Sequence, residues 1–292
     1  MRETAFLLAA ALVAASAAEP LPALANLPAQ PGAAVVYLLT FPGSGNTWVR
    51  HLIQEGTRVY AGSQYHAHQL EENGFPSDAL GAGAYARLSV VKSHGAFFEK
   101  EALYGATHGH ARIVVLRHPC AALVSEFRRM TWKAHAGDAS AQQRAQGREG
   151  QTFFFEFDEA DRSWAFFLRV TLPKWVAFSR DVDAEPRATP ALRVYYEDLA
   201  ADLGGALARV FAFLVAAKPS LASRAPAGAN ATRWMVQNAL RDAEGGFHRP
   251  HPEGGERRHW SPAQVAEACA VFAPWWGAEA TRWWGVCNET CR

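Results

Sequence analysis

The run VVYLLTFPGSGNTWVRHLI, from Val35 to Ile53, constrains the fold more than any other part of the chain. An apolar segment breaks into a small-residue turn at Phe41 to Asn46. Apolar residues then return at helical spacing, at Trp48, Leu52 and Ile53. A continuous apolar run is the pattern of a strand covered on both faces, so Ala33 to Thr40 is expected to be an interior strand of a parallel sheet. Gly43 and Gly45 permit a tight turn, and the N–H groups opening the next helix then point into it, the layout of a phosphate-binding loop. A nucleoside triphosphatase loop would end in Gly-Lys-Ser/Thr. Here the ending is Gly45-Asn46-Thr47, without the lysine.

The same strand-then-helix rhythm recurs downstream. Leu88 to Lys92, Arg112 to Leu116 and Leu192 to Tyr196 read as strands. Pro119 opens a helix to about Trp132, and a further helix runs to about Ala217. Strands alternating with helices predict an α/β fold, a P-loop-like three-layer arrangement with a central parallel sheet flanked by helices. Ala134 to Gln151 is polar and glycine-dotted, an exposed insertion, and Gly245 to Trp260 reads as a long functional loop. The 29 basic and 28 acidic side chains nearly cancel, so nothing draws the chain as a whole to nucleic acid, and any anion site must be local.

The N-terminus has a charged start at Arg2, an apolar stretch from Ala5 to Ala18 and a small-residue pattern at Ala15-Ser16-Ala17. It reads as a signal peptide over residues 1–18, with a short signal-anchor as the rival. Residues 19–32, rich in Pro and Ala, follow as a linker, and residues 33–292 are expected to form a single domain. Two tripeptides, Asn230-Ala231-Thr232 and Asn288-Glu289-Thr290, fit N-glycosylation acceptors and agree with passage through the Golgi or secretion. Of four cysteines, Cys269, Cys287 and Cys291 offer one disulfide, although four allow three full pairings. No C-x-x-C pair suggests structural zinc, and no metal site is expected.

Three further elements stand at predicted strand ends, where open α/β sheets bind ligands. Val-Val-Lys-Ser-His-Gly presents Lys92 and His94. The run Ile-Val-Val-Leu-Arg-His-Pro places Arg117 at a strand end, with Ser125 eight residues later. Val-Tyr-Tyr-Glu-Asp-Leu brings in Tyr196. Together with the loop, in this order and with this Arg–Ser spacing, they resemble the sulfotransferase superfamily over roughly Val35 to Trp260. The wording Phe-Pro-Gly-Ser-Gly-Asn-Thr-Trp is similar to the sulfotransferase-like domain found attached to cysteine-rich WSC modules.

The resemblance implies a donor, 3′-phosphoadenosine 5′-phosphosulfate, used without a metal. It also implies an acceptor bearing a hydroxyl or amine: a glycan, a protein or a small molecule. Ser44, Gly45, Asn46 and Thr47 would hold the 5′-phosphosulfate, with Trp48 beside the adenine and Tyr196 near the base. Arg117 and Ser125 would bind the 3′-phosphate, and Arg249, or the Arg257-Arg258 pair, would close a C-terminal loop over it. His94 would be the general base, and Lys92 would offset charge on the transferring or leaving group.

One departure stands out. Gly43 occupies the place of the family's loop lysine, which acts on the leaving-group oxygen. Lys92, or Arg50 reaching back from its helix, is the available substitute. A pseudoenzyme that binds the nucleotide or a sulfated glycan without turnover is therefore the second reading. A P-loop kinase or hydrolase is the third, opposed by the missing lysine and by the lack of an obvious strand-end aspartate for magnesium.

Overall fold

A computed structural model of the chain describes residues 21–30, 32–65, 68–95, 110–135, 162–184 and 189–243, with isolated helical positions at 263, 266 and 270. Five parallel strands form one sheet: β1 (Val36–Thr40), β2 (Gly62–Ser63), β3 (Val91–Ser93), β4 (Ala111–Leu116) and β5 (Ala191–Tyr195). Their spatial order is β2-β3-β1-β4-β5. The chain thus leaves β1 toward β3 on one side and toward β4 on the other. That reversal makes the carboxyl end of β1 a topological switch point, the crevice where open α/β sheets take ligands.

The period of two along β1 distributes its side chains between two cores. Tyr37, Leu39 and Phe41 pack with Val114, Leu123, Trp164, Phe167 and Trp175. These partners come partly from α3 (Pro119–His135) and α4 (Arg162–Ala184). Val36 and Leu38 pack on the opposite face with Val49, Ile53, Leu207, Phe211 and Met235. That layer contains α1 (Asn46–Thr57), α6 (Leu203–Ala217) and α7 (Ala231–Arg241). A four-residue helix, α2 (His68–Glu71), lies between β2 and β3, and α5 (Tyr196–Ala201) follows β5 directly. The result is the three-layer α/β fold with a parallel sheet that the sequence predicts.

Some boundaries differ for local reasons. Lys92 lies inside β3 rather than just past a strand, because its segment pairs through the register Leu38↔Lys92 and Leu39↔Ser93. The helix expected after β5 is two helices broken at Asp202, whose side chain accepts the Gly205 N–H and caps α6. Asn230, read as a glycosylation acceptor, is the exposed N-cap of α7, its Oδ1 accepting the Arg233 N–H at 2.9 Å. The sequon therefore has a structural role of its own. The leader, nearly all of the Ala134 to Gln151 insertion and the Gly245 to Trp260 loop fall outside the described residues.

Candidate active site

The carboxyl edge of the sheet carries most of the sequence-predicted residues that are described. From β1 the chain enters the loop Phe41–Gly45, in which Gly43 and Gly45 have φ of 81° and 88°. These left-handed values favour glycine. Gly45 is the N-cap of α1, and no side chain caps this helix. The Ser44 N–H is given to the Phe41 carbonyl at 3.1 Å and the Val49 N–H to the Gly45 carbonyl at 3.0 Å, so it is the first-turn N–H groups of α1 that no side chain caps, an arrangement suited to an anion. Ser44 is 1% exposed and Asn46 6%. Ser44 Oγ and Asn46 Oδ1 are buried and make no hydrogen bond among the described residues. Buried polar atoms without partners are costly; the Ser44 hydroxyl can donate to an anion at this turn, whereas Asn46 Oδ1 only accepts and its Nδ2 is given to Thr40 Oγ1. Thr47 is half-buried on the same turn.

Gly43 has a second constraint. A Cβ there would lie 2.2 Å from the Ala122 carbonyl oxygen and 2.9 Å from the Glu126 nitrogen. The backbone of α3 fills the space a side chain would need. The missing loop lysine is therefore a feature of packing as well as of sequence: the turn admits no side chain in this conformation.

Arg117 leaves β4 buried, at 4% exposure. Its Nη1 donates to the Gly43 carbonyl at 2.9 Å, and its guanidinium sits over the Tyr196 ring at 4.3 Å. Tyr196 also packs edge-to-face with Trp48, 5.7 Å between centroids. A Cβ on Gly45 would lie 2.7 Å from the Tyr196 ring. Arg117, Tyr196, Trp48 and the glycine loop are thus one contiguous group. Trp48 is buried, its Nε1 donating to the Ala243 carbonyl at 3.1 Å. Ser125, on α3, is half-buried. Arg249, Arg257 and Arg258 lie outside the described residues. Glu197, absent from the sequence prediction, accepts the His118 backbone N–H at 2.9 Å and joins the β4 exit to α5.

On the other side of β1, the parallel register continues from Leu39↔Ser93 to set Thr40 beside His94. His94 Nδ1 donates to the Thr40 carbonyl oxygen at 2.8 Å and also approaches Thr40 Oγ1 at 3.2 Å. A carbonyl only accepts, so the hydrogen-bond network assigns the proton to Nδ1, and in the neutral ring Nε2 carries the lone pair. Thr40 Oγ1 in turn accepts from Asn46 Nδ2 at 2.9 Å. Tyr65 stacks on the imidazole, 5.5 Å between centroids, and its hydroxyl accepts the His94 backbone N–H at 2.9 Å. Tyr65 was absent from the sequence prediction; no local motif marks it.

Burial, then the Lys92 charge, holds His94 well below the usual imidazole range, so the ring is neutral near pH 7. Burial first, then Arg50 and Arg129, bring the Lys92 ammonium down to about 7. Arg50 does not reach the loop. Its guanidinium donates to Asp78 Oδ1 at 2.6 Å and to the Gly62 carbonyl at 3.2 Å, and stacks 3.7 Å from the Phe75 centroid. It is wholly buried and committed, which removes it as the substitute cation.

His51, Glu55 and Asp242 bring one ligand atom each within 4.8 Å of one another. His51 Nε2 is hydrogen-bonded to Asp242 at 2.9 Å, which joins α1 to the end of α7, and Glu55 pairs with Arg58 within the end of α1. Cys120, left out of the disulfide in the sequence reading, is itself disulfide-bonded. The other three cysteines all lie outside the described residues. The bridge therefore involves the first turn of α3, the helix that carries Ser125.

No protein-family model matches the chain. Among curated proteins it is similar to WSCD family members. One from Aedes aegypti is 31% identical over 189 residues, which is 63% of this chain and 51% of that protein. Another, from Drosophila melanogaster, is 35% identical over 133 residues, 45% of this chain and 38% of that protein. The chain spans about half the length, or less, of these curated relatives. Among solved structures, mouse sulfotransferase SULT7A1 complexed with PAP aligns with a TM-score of 0.55 at 13% identity, covering 91% of each chain. At that identity the likeness establishes the fold: the chain has the sulfotransferase fold implied by its motif order.

Proposed function

We propose that the chain is a sulfotransferase of the secretory pathway. It moves a sulfonate from 3′-phosphoadenosine 5′-phosphosulfate to a hydroxyl or amine of a glycan, protein or small-molecule acceptor. One observation carries this reading. The β1–β3 register sets a histidine with a proton-accepting Nε2 beside a glycine loop that opens a helix without a side-chain cap and holds the buried Ser44 hydroxyl, which has no partner among the described residues. The PAP in the mouse neighbour's complex points to the same class of nucleotide. The disulfide at Cys120 supports an oxidising compartment.

Ser44, Gly45, Asn46 and Thr47 hold the 5′ end of the nucleotide through N–H groups and short polar side chains. Arg117, with Ser125 two turns along α3, meets the 3′-phosphate, a dianion suited to a guanidinium fork. Tyr196 and Trp48 border the base. His94 Nε2 takes the proton of the acceptor hydroxyl or amine as its heteroatom bonds to sulfur. The bond from sulfur to the 5′-phosphate oxygen breaks with its electron pair leaving on the phosphate, and Lys92 offsets that charge. Such an in-line displacement is mainly a matter of position and charge, so no covalent nucleophile is needed.

The closed space at Gly43 favours a second reading, in which the nucleotide binds without turnover. The separating experiment is thermal melting of the protein with 3′-phosphoadenosine 5′-phosphate, 5′-AMP or Mg-ATP, followed by sulfonate transfer across an acceptor panel. A ligand present at about 100 times its Kd adds roughly 2.7 kcal/mol, readily seen as a shift. Stabilisation specific to the 3′-phosphorylated nucleotide, with transfer, supports the enzyme. The same stabilisation without transfer leaves the binding protein. No shift removes both.

A further inference from the structure

The position of the loop lysine is closed, yet the leaving phosphate still gathers negative charge as the bond to sulfur breaks. The backbone that closes it is that of α3 at Ala122 and Glu126. Residues four and seven positions beyond Ala122, namely Glu126 and Arg129, fall on the same face of the helix. That face lies against the turn, and Arg129 is the cation one turn beyond the contact.

Arg129 is held in a defined orientation. Its Nε donates to Glu126 Oε2 at 2.6 Å, and its Nη2 donates to Glu126 Oε1. Glu126 is 1% exposed, so the anchor is rigid, whereas the Arg129 side chain is 45% exposed. The fork uses two of the five N–H donors of a guanidinium, and among the described residues no other hydrogen bond engages this side chain. The Glu126 carboxylate raises Arg129 above its already high ordinary value, so its charge persists at every physiological pH. Its field reaches the site: Arg129 is among the charges that lower both Lys92 and His94, while Glu126 acts on Lys92 in the opposite sense and more weakly.

We propose that Arg129, pinned by Glu126 on the helix that fills the place of the loop lysine, supplies the cation that the loop cannot, directed at the 5′-phosphosulfate of the donor. The charge has moved from the loop to the helix packed on it. This rests on the nucleotide reading above. It adds a residue that neither the motif order nor the family resemblance assigns, since Arg129 lies four residues beyond the Arg117–Ser125 pair.

The test compares Kd values of the full chain and its Arg129→Ala variant for two probes. One is 3′-phosphoadenosine 5′-phosphate; the other is adenosine 3′-phosphate, which lacks the 5′ group. The expected result is a loss of about tenfold or more for the first, the size of one charge-assisted contact. The second should change less than about twofold. Arg129→Lys, which keeps the charge but not the fork, should recover part of the loss. The ratio between probes is internal to each variant, so a general loss of stability does not mimic the effect. If the unaltered protein binds neither probe, the nucleotide reading falls and this inference with it. If it binds the bisphosphate and Arg129→Ala binds it equally well, Arg129 does not serve the donor while the nucleotide reading stands. An equal loss for both probes also overturns the assignment to the 5′ end.

Discussion

His94 Nδ1 and the Thr40 carbonyl oxygen, 54 residues apart in sequence, are 2.8 Å apart across adjacent parallel strands. The bond fixes which imidazole nitrogen holds the proton, and Thr40 Oγ1 links the same ring to Asn46 in the phosphate loop. His94→Ala is expected to lower sulfonate transfer by roughly 10²- to 10⁴-fold, the scale of positioned general-base catalysis, while leaving the Kd for 3′-phosphoadenosine 5′-phosphate nearly unchanged. Single-turnover transfer beside nucleotide titration checks it, and unimpaired transfer would sink the assignment. Thr40→Val keeps the carbonyl but removes the link to Asn46. It should lower both transfer and nucleotide affinity, a combination that loss of the base alone does not produce.

Gly43 gives a prediction that runs against the family pattern. Restoring the family's lysine with Gly43→Lys should not restore activity but destroy the site, because a Cβ there meets the Ala122 carbonyl at 2.2 Å and φ is +81°. Left-handed strain and overpacking each cost about 1–3 kcal/mol, so Gly43→Ala should destabilise by at least about 2 kcal/mol. Urea unfolding measures the loss. A Gly43→Ala protein as stable as its parent would show that the turn can shift away from the backbone of α3.

Much of this site was legible in the sequence because its signals are local. A continuous apolar run marks β1, paired glycines mark the turn, and a proline marks the start of α3. Of the residues that the resemblance selects, the described ones lie at or next to strand ends, on the first turn of a helix or, for Ser125, two turns along α3, and Arg249 lies outside the described residues. What was not legible depends on contacts between distant segments. Nothing in the sequence around Gly43 shows that α3 seals it, or that Tyr65 stacks on His94. Arg50 looked available because its partner Asp78 lies 28 residues away across a loop. Of the elements that the sequence reading missed, two have local reasons. β2 is only two residues long and contains a glycine, and α4 carries Pro173 in its interior, though Trp164, Phe167, Leu168, Leu172 and Trp175 keep a helical spacing.

The Arg50–Asp78 pair, with both side chains at 0% exposure, should behave as a buried ion pair. Burial pulls Arg50 below and Asp78 above their ordinary values, against their mutual attraction. Removing one partner leaves an uncompensated buried charge, so Asp78→Ala is expected to cost about 3–5 kcal/mol. Replacing both, as Arg50→Met with Asp78→Leu, should cost less than Asp78→Ala alone. Denaturant unfolding of the three variants decides it. A double variant less stable than Asp78→Ala would mean that the guanidinium contributes chiefly through its stacking on Phe75 and its bond to the Gly62 carbonyl.

Lys92 makes the pH dependence of the protein specific. Its ammonium, ordinarily near 10.5, is brought down to about 7 by burial first and by Arg50 and Arg129 next. Between those two values the unfolded chain binds more protons at this residue than the folded one, so its contribution makes stability rise as pH increases from about 7 toward 10.5. Below 7 both states are protonated and the penalty for the buried charge is constant. Lys92→Met should therefore stabilise the protein most at acidic and neutral pH and flatten this part of the stability profile. Nucleotide binding should show the opposite slope: an anion favours the protonated amine, so affinity for 3′-phosphoadenosine 5′-phosphate falls as pH rises through 7 in the parent and changes less in Lys92→Met. Calorimetric titrations from pH 6 to 9 would separate the two proteins. Parallel affinity profiles would show that Lys92 does not face the nucleotide, and the charge at the leaving group would then have to come from α3 alone.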